Sequence, residues 1–266
     1  MPYDHRFAEF NESTYAQVAT AEVTDWLVQE QDLMAVPITP HQTEEADLGY
    51  DLGVSARWGM VYLQFKVSEY MRGGNAAEYW YWNQHYFRFK VKTDMTTNGR
   101  VQHNTLCDLE SREASRGGLV LYMAPLFLTQ DELFLHLLGR TAVDQSVFAS
   151  PLQLGLVAPG DVHRYTYTSH RDVVPFSEPG PERPGGFDLV TSGLRQVLSA
   201  KDPQPLSTYL AGAAEVLGAV SGLSTDADLT PAQRIAQFSY ALSLQPWLVR
   251  YDPEPQDSAP EESDSE

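Results

Sequence analysis

Four side chains carry the chemistry this sequence can offer. In "LGYDLGVSARWGMVYLQFKV", residues 48–67, Asp51 follows a glycine and an aromatic, and Gln64 and Lys66 stand two apart in a strand-like run. Glu22 is the fourth, set inside an apolar stripe instead of opposite it. An acid and a lysine brought together suit a divalent cation. The carboxylate supplies a hard oxygen ligand, and the ammonium stabilises negative charge that develops beside it.

These groups act together only if the elements around them hold them together. "VYLQFKV" alternates, with Val61, Leu63, Phe65 and Val67 on one face and Tyr62, Gln64 and Lys66 on the other. Asp51 falls on a short strand, "LGYDLGV", and "SARWG" reads as the turn between the two. Asp47, four residues earlier, points to the same side of an ideal strand and is the weaker alternative acid. Ahead of them, Ser13-Thr14 caps a helix running to Gln29, with Tyr15, Val18, Ala19, Val23, Trp26 and Leu27 as its stripe. A carboxylate in that stripe needs a base, a donor or a metal, which makes Glu22 a candidate ligand.

Further along, "YFRFKVK" (residues 86–92) alternates again and sets Arg88, Lys90 and Lys92 opposite Phe87, Phe89 and Val91. "RVQHNTLCDLESREA" reads as a helix, "GGLVLYMAP" as a buried strand, and Thr129 with Glu132 as the capping box of the next helix. From 142 to 184 one strand is expected, Val162–Thr168. "SEPGPERPGG" reads as a linker, and three helices follow, the last capped by Thr230, Pro231 and Gln233. The domain reading is a core over 1–141, an irregular β extension over 142–185, a helical appendage over 186–250 and a disordered acidic tail over 251–266.

The order helix, strand with Asp51, strand with Gln64 and Lys66, strand, helix, buried strand resembles the core of the PD-(D/E)xK nuclease superfamily, the restriction-endonuclease-like fold. The Gly-Tyr-Asp … Gln-x-Lys version is closest to the Mrr-type restriction endonucleases, and the resemblance covers roughly the first half of the chain. It implies an α/β core and metal-dependent hydrolysis of phosphodiesters with Mg²⁺ or Mn²⁺. Asp51 would be the central ligand, Gln64 would add an amide oxygen, and Lys66 would orient water or stabilise charge. Glu22 would restore the carboxylate that glutamine lacks. Arg88, Lys90 and Lys92 would contact the phosphates of a nucleic acid, DNA by expectation. A role in restriction or phage defence is a further implication.

Composition sets the frame. With 36 acids against 18 bases the net charge is −18, and with the tail's seven acids removed it is still near −11. That argues against bulk attraction to nucleic acid. Yet seven bases and three acids fall between Arg57 and Arg100, and three of the chain's four lysines are among them. The single cysteine excludes an internal disulfide. The start of the chain lacks a signal-peptide pattern, and no run is long enough to span a bilayer, so a soluble cytoplasmic protein is expected.

The remaining features have two readings each. His103-Asn104 either faces the site or makes helix-start hydrogen bonds. "YWYW" (Tyr79–Trp82) either stacks unpaired bases or is core, and core is favoured. His163 and His170 read as structural, and Cys107 as inert. The rival to a nuclease is a catalytically inactive binding or assembly module, favoured by glutamine at 64 and by the acidity. Its small-residue C-terminal helices would pack against a partner or a second copy.

Overall fold

A computed structural model describes residues 6–29, 34–38, 57–73, 78–93, 100–170, 172–177, 180–181, 204–223 and 229–251. The elements are α1 (Glu12–Gln29), β1 (Met34–Pro37), β2 (Arg57–Phe65), β3 (Glu69–Met71), α2 (Tyr79–Trp82), β4 (Tyr86–Lys90), α3 (Gln102–Ala114), β5 (Leu119–Pro125), α4 (Gln130–Gly139), β6 (Ser146–Ala149), α5 (Pro151–Leu154), β7 (His163–Tyr167), β8 (Val173–Ser177), β9 (Gly180–Pro181), α6 (Leu206–Ser221), α7 (Pro231–Ala241) and β10 (Gln245–Tyr251). The class is α/β. Asp51, Asp47, most of the linker and the tail beyond Tyr251 lie outside the described residues.

Two five-stranded sheets form the scaffold. The first runs β1-β10-β2-β5-β6 and is mixed, because β2 pairs parallel with β5 while its other pairs are antiparallel. The second, β3-β4-β7-β8-β9, is antiparallel throughout. Strand alternation divides the core between the two faces of the first sheet. Val61, Leu63, Phe65, Met123 and Trp247 pack against Tyr15, Val23, Trp26 and Leu27 of α1. Met60, Tyr62, Val120, Tyr122 and Leu248 face Phe89 and Tyr165 of the second sheet, together with α3, α6 and α7.

Local sequence explains the boundaries. Asn11 caps α1, its Oδ1 accepting the Thr14 amide at 2.8 Å, so the cap stands two residues earlier than Ser13. Thr129–Glu132 and Thr230–Gln233 both close as capping boxes. The expected turn at "SARWG" is corrected, since Arg57, Trp58 and Gly59 already belong to β2 and pair with β10.

The C-terminal region is no appendage. β10 lies between β1 and β2 inside the first sheet, and α6 supplies Tyr209, Leu210, Ala213 and Leu217 to the core. β6 likewise extends the first sheet. A half-buried pair locks α6 down: buried Glu113 of α3 and Arg116 approach at 3.8 Å, and Arg116 donates to the Tyr209 carbonyl at 3.1 Å. Gly118 and Gly212 make that fit possible, because a Cβ at either would collide with the Glu113 carboxylate or the Arg116 guanidinium.

Candidate functional site

β2 ends at Phe65; Gln64 points toward the Leu242 carbonyl, whereas Lys66, just past the strand, pairs with Glu12 of α1. Lys66 extends the pairing past the strand end, its amide donating to the Met123 carbonyl at 2.8 Å. Its side chain is only 8 % exposed, and its Nζ lies 3.5 Å from Glu12 Oε1. Burial lowers the Lys66 pKa, Glu12 opposes that, and Lys92 adds to the lowering. Like charges crowd each other there.

Lys66 lines a cleft of about 400 Å³ together with Glu12, Lys90, Lys92, Asp161 and His163. One wall is the paired end of β4 and β7. Val91 donates its amide to the His163 carbonyl at 3.0 Å, and Thr93 Oγ1 donates to the Asp161 carbonyl at 2.7 Å. Lys90 sits at the rim, 56 % exposed and 3.3 Å from Glu69 Oε1. Three of the chain's four lysines therefore meet in one concavity of an acidic protein. The carboxylates of Glu12 and Asp161 line the same cleft.

Three expected participants are engaged elsewhere. Glu22 accepts the amides of Ala142 and Val143 at 2.8 and 2.9 Å, lines a separate cavity with Arg140 and Asp144, and is not brought to Lys66. Burial raises its pKa and those two amides work against the rise. A carboxylate in an apolar stripe found donors, and the donors are backbone. Gln64 is buried and donates Nε2 to the Leu242 carbonyl at 3.4 Å, an acceptor shared with Gln102 at 3.2 Å. Both amides thus satisfy the C-terminal end of α7.

Arg88 is the third, and its expected contact with phosphates is corrected. It is buried, with Nη2 2.9 Å from Glu69 and Nη1 3.4 Å from Glu78. Arg164 reaches Glu78 at 2.6 Å, and Tyr86 donates to it at 3.1 Å. Burial alone would raise the Glu78 carboxyl, but its own backbone amide, Arg164 and Arg88 outweigh that and lower it. The ring of partners consumes the guanidinium.

"YWYW" forms α2, which has no buried residue, so the core expectation is corrected. Trp82 stacks on Tyr86 and donates Nε1 to Thr166 Oγ1 at 3.0 Å, while Trp80 is left exposed. His103 is fully buried, with Nδ1 2.8 Å from the Tyr122 hydroxyl and Nε2 2.8 Å from the Gly155 carbonyl. Burial pushes it down to about 4. Asn104 clamps Val157 through both its amide oxygen and its nitrogen. Cys107 lies 3.5 Å from His103 Nε2, and burial pushes its thiol up to about 12, which leaves it unreactive.

Glu12, Asp161 and His163 are the cleft members that sequence reasoning did not place there. Glu12 opens α1, where an acid ordinarily complements the helix dipole, so its position alone gave no sign of Lys66. Among the described residues, no group of three or more His, Cys, Asp or Glu side chains could hold a metal ion. No described helix is long and apolar enough to cross a membrane. Comparison with known protein families, curated proteins and solved structures finds no match to this chain.

Proposed function

We propose that the chain engages the phosphates of a nucleic acid at the lysine cleft, as a nuclease-like protein whose phosphodiester hydrolysis would require Mg²⁺ or Mn²⁺. The observation that carries this reading is the convergence of Lys66, Lys90 and Lys92 on one cleft. In this reading Lys66 stabilises charge on a bound phosphate, and Lys90 and Lys92 hold the backbone. Among the described residues no cluster of acids, histidines or cysteines could hold that metal by itself. The hydrolytic activity depends on Asp51.

The second reading is the inactive binding module. It is favoured by the diversion of Glu22 to two backbone amides and of Gln64 to Leu242. Plasmid and single-stranded DNA and RNA, incubated with and without Mg²⁺ or Mn²⁺, separate the two. The hydrolase reading expects metal-dependent cleavage that falls at least about a hundredfold in both Asp51→Ala and Lys66→Ala. Cleavage that survives both substitutions removes the proposed site. Binding without cleavage, and without a metal-induced rise in melting temperature, selects the module.

A further inference from the structure

The shape of the lysine cleft discriminates among kinds of phosphate. We propose that it receives the terminal phosphate of a nucleic-acid strand, a phosphomonoester, in preference to the phosphodiesters along the strand; this rests on the phosphate-binding reading above. Depth is the first argument. Lys66 forms a floor with 8 % of its side chain exposed, whereas Lys90 at the rim is 56 % exposed and Lys92 is exposed as well. An internal phosphodiester carries a sugar on each side, and those sugars stop at the rim. A terminal phosphate is tethered on one side only, so it can enter and bring three free oxygens to the floor.

Charge is the second argument. A phosphomonoester carries about −1.5 to −2 near neutral pH, against −1 for a diester. Lys92 already bears on Lys66 as a like charge, and the more highly charged ligand relieves that repulsion further. Ammonium groups with rotatable donors suit the several oxygens of a phosphate end. Size agrees, since a cavity of about 400 Å³ matches a small-ligand site, not a groove that tracks many nucleotides.

Glu12 is what the ligand must displace. It is half exposed, at the first turn of α1, and swings into water at little cost once Lys66 has another anion. The opposite wall is set beforehand by the Thr93–Asp161 bond and by the Gly160 amide donating to the Thr93 carbonyl at 3.3 Å.

The test uses the full chain in EDTA, so that binding is read without cleavage. Fluorescence anisotropy compares one oligonucleotide with a 5′-phosphate, with a 3′-phosphate, with hydroxyls at both ends, and as a closed circle. One phosphorylated form should bind at least about tenfold more tightly than the hydroxyl form and the circle. The 5′ and 3′ arms identify which end is held. Lys92→Ala, an exposed position, should abolish the preference, and Glu12→Gln should strengthen it. Equal binding of all four forms overturns the end preference while leaving phosphate binding intact. A preference that survives Lys92→Ala overturns the assignment to this cleft. Failure of every form to bind at low salt overturns both readings.

Discussion

Glu12 and Glu22 share one helix and have different fates, because their neighbours differ. Glu12 meets an ammonium at the rim of a cleft, and Glu22 meets the two amides that open the chain segment after α4. Its place inside an apolar stripe made Glu22 the candidate second carboxylate beside Asp51, but a stripe position tells only that a partner exists and not which one. His103 illustrates the same point with a measurable consequence. Held neutral between Tyr122 and the Gly155 carbonyl, it titrates at about 4 in the folded chain, against about 6.5 when unfolded. Between those values the unfolded chain binds a proton that the folded chain does not. Stability is therefore fully present above about pH 6.5 and is lost as pH falls toward 4, by up to about 3 kcal/mol. Urea midpoints measured from pH 7 to 5 should decline, and His103→Gln should flatten that decline; an unchanged slope would show that His103 is not its source.

At the scale of elements, what was legible in the sequence was period and punctuation. Alternation assigned the faces of β2 and β4 correctly, and both capping boxes were readable because each is closed by residues three apart. What α2 covers was not readable, because a four-residue helix leaves almost no periodic trace. Its preceding residue, Glu78, lies ten positions from Arg88 in the chain, yet it sits between Arg88 and Arg164 with 1 % of its side chain exposed. Arg88 is held by two carboxylates, while Lys90, paired with Glu69 alone, keeps 56 % of its side chain exposed. Removing the Glu78 carboxylate strands the Arg164 guanidinium and leaves buried Arg88 with Glu69 as its remaining acid. Glu78→Ala should cost about 3–5 kcal/mol in chemical denaturation. A loss below about 1 kcal/mol would mean that water already reaches the network.

For the whole molecule, the division into core and appendage failed because strand order in space does not follow strand order in the chain. "QPWLVRY" follows a well-marked helix and carries a proline near its start, which hides a central strand from local reading. Its place between β1 and β2 means that a chain ending at Ser243 should show no cooperative melting by circular dichroism. A cooperative transition in that shortened chain would restore the appendage view. The same placement bears on synthesis. Gln64 and its partner Leu242 are 178 positions apart, and β10 is made later still. At typical ribosomal speeds the edge of β2 waits on the order of ten to forty seconds for its neighbour. An apolar edge left open that long is a template for wrong pairing between nascent chains. Yield should therefore respond to expression temperature and to chaperone supply more steeply than the stability of the finished fold would indicate.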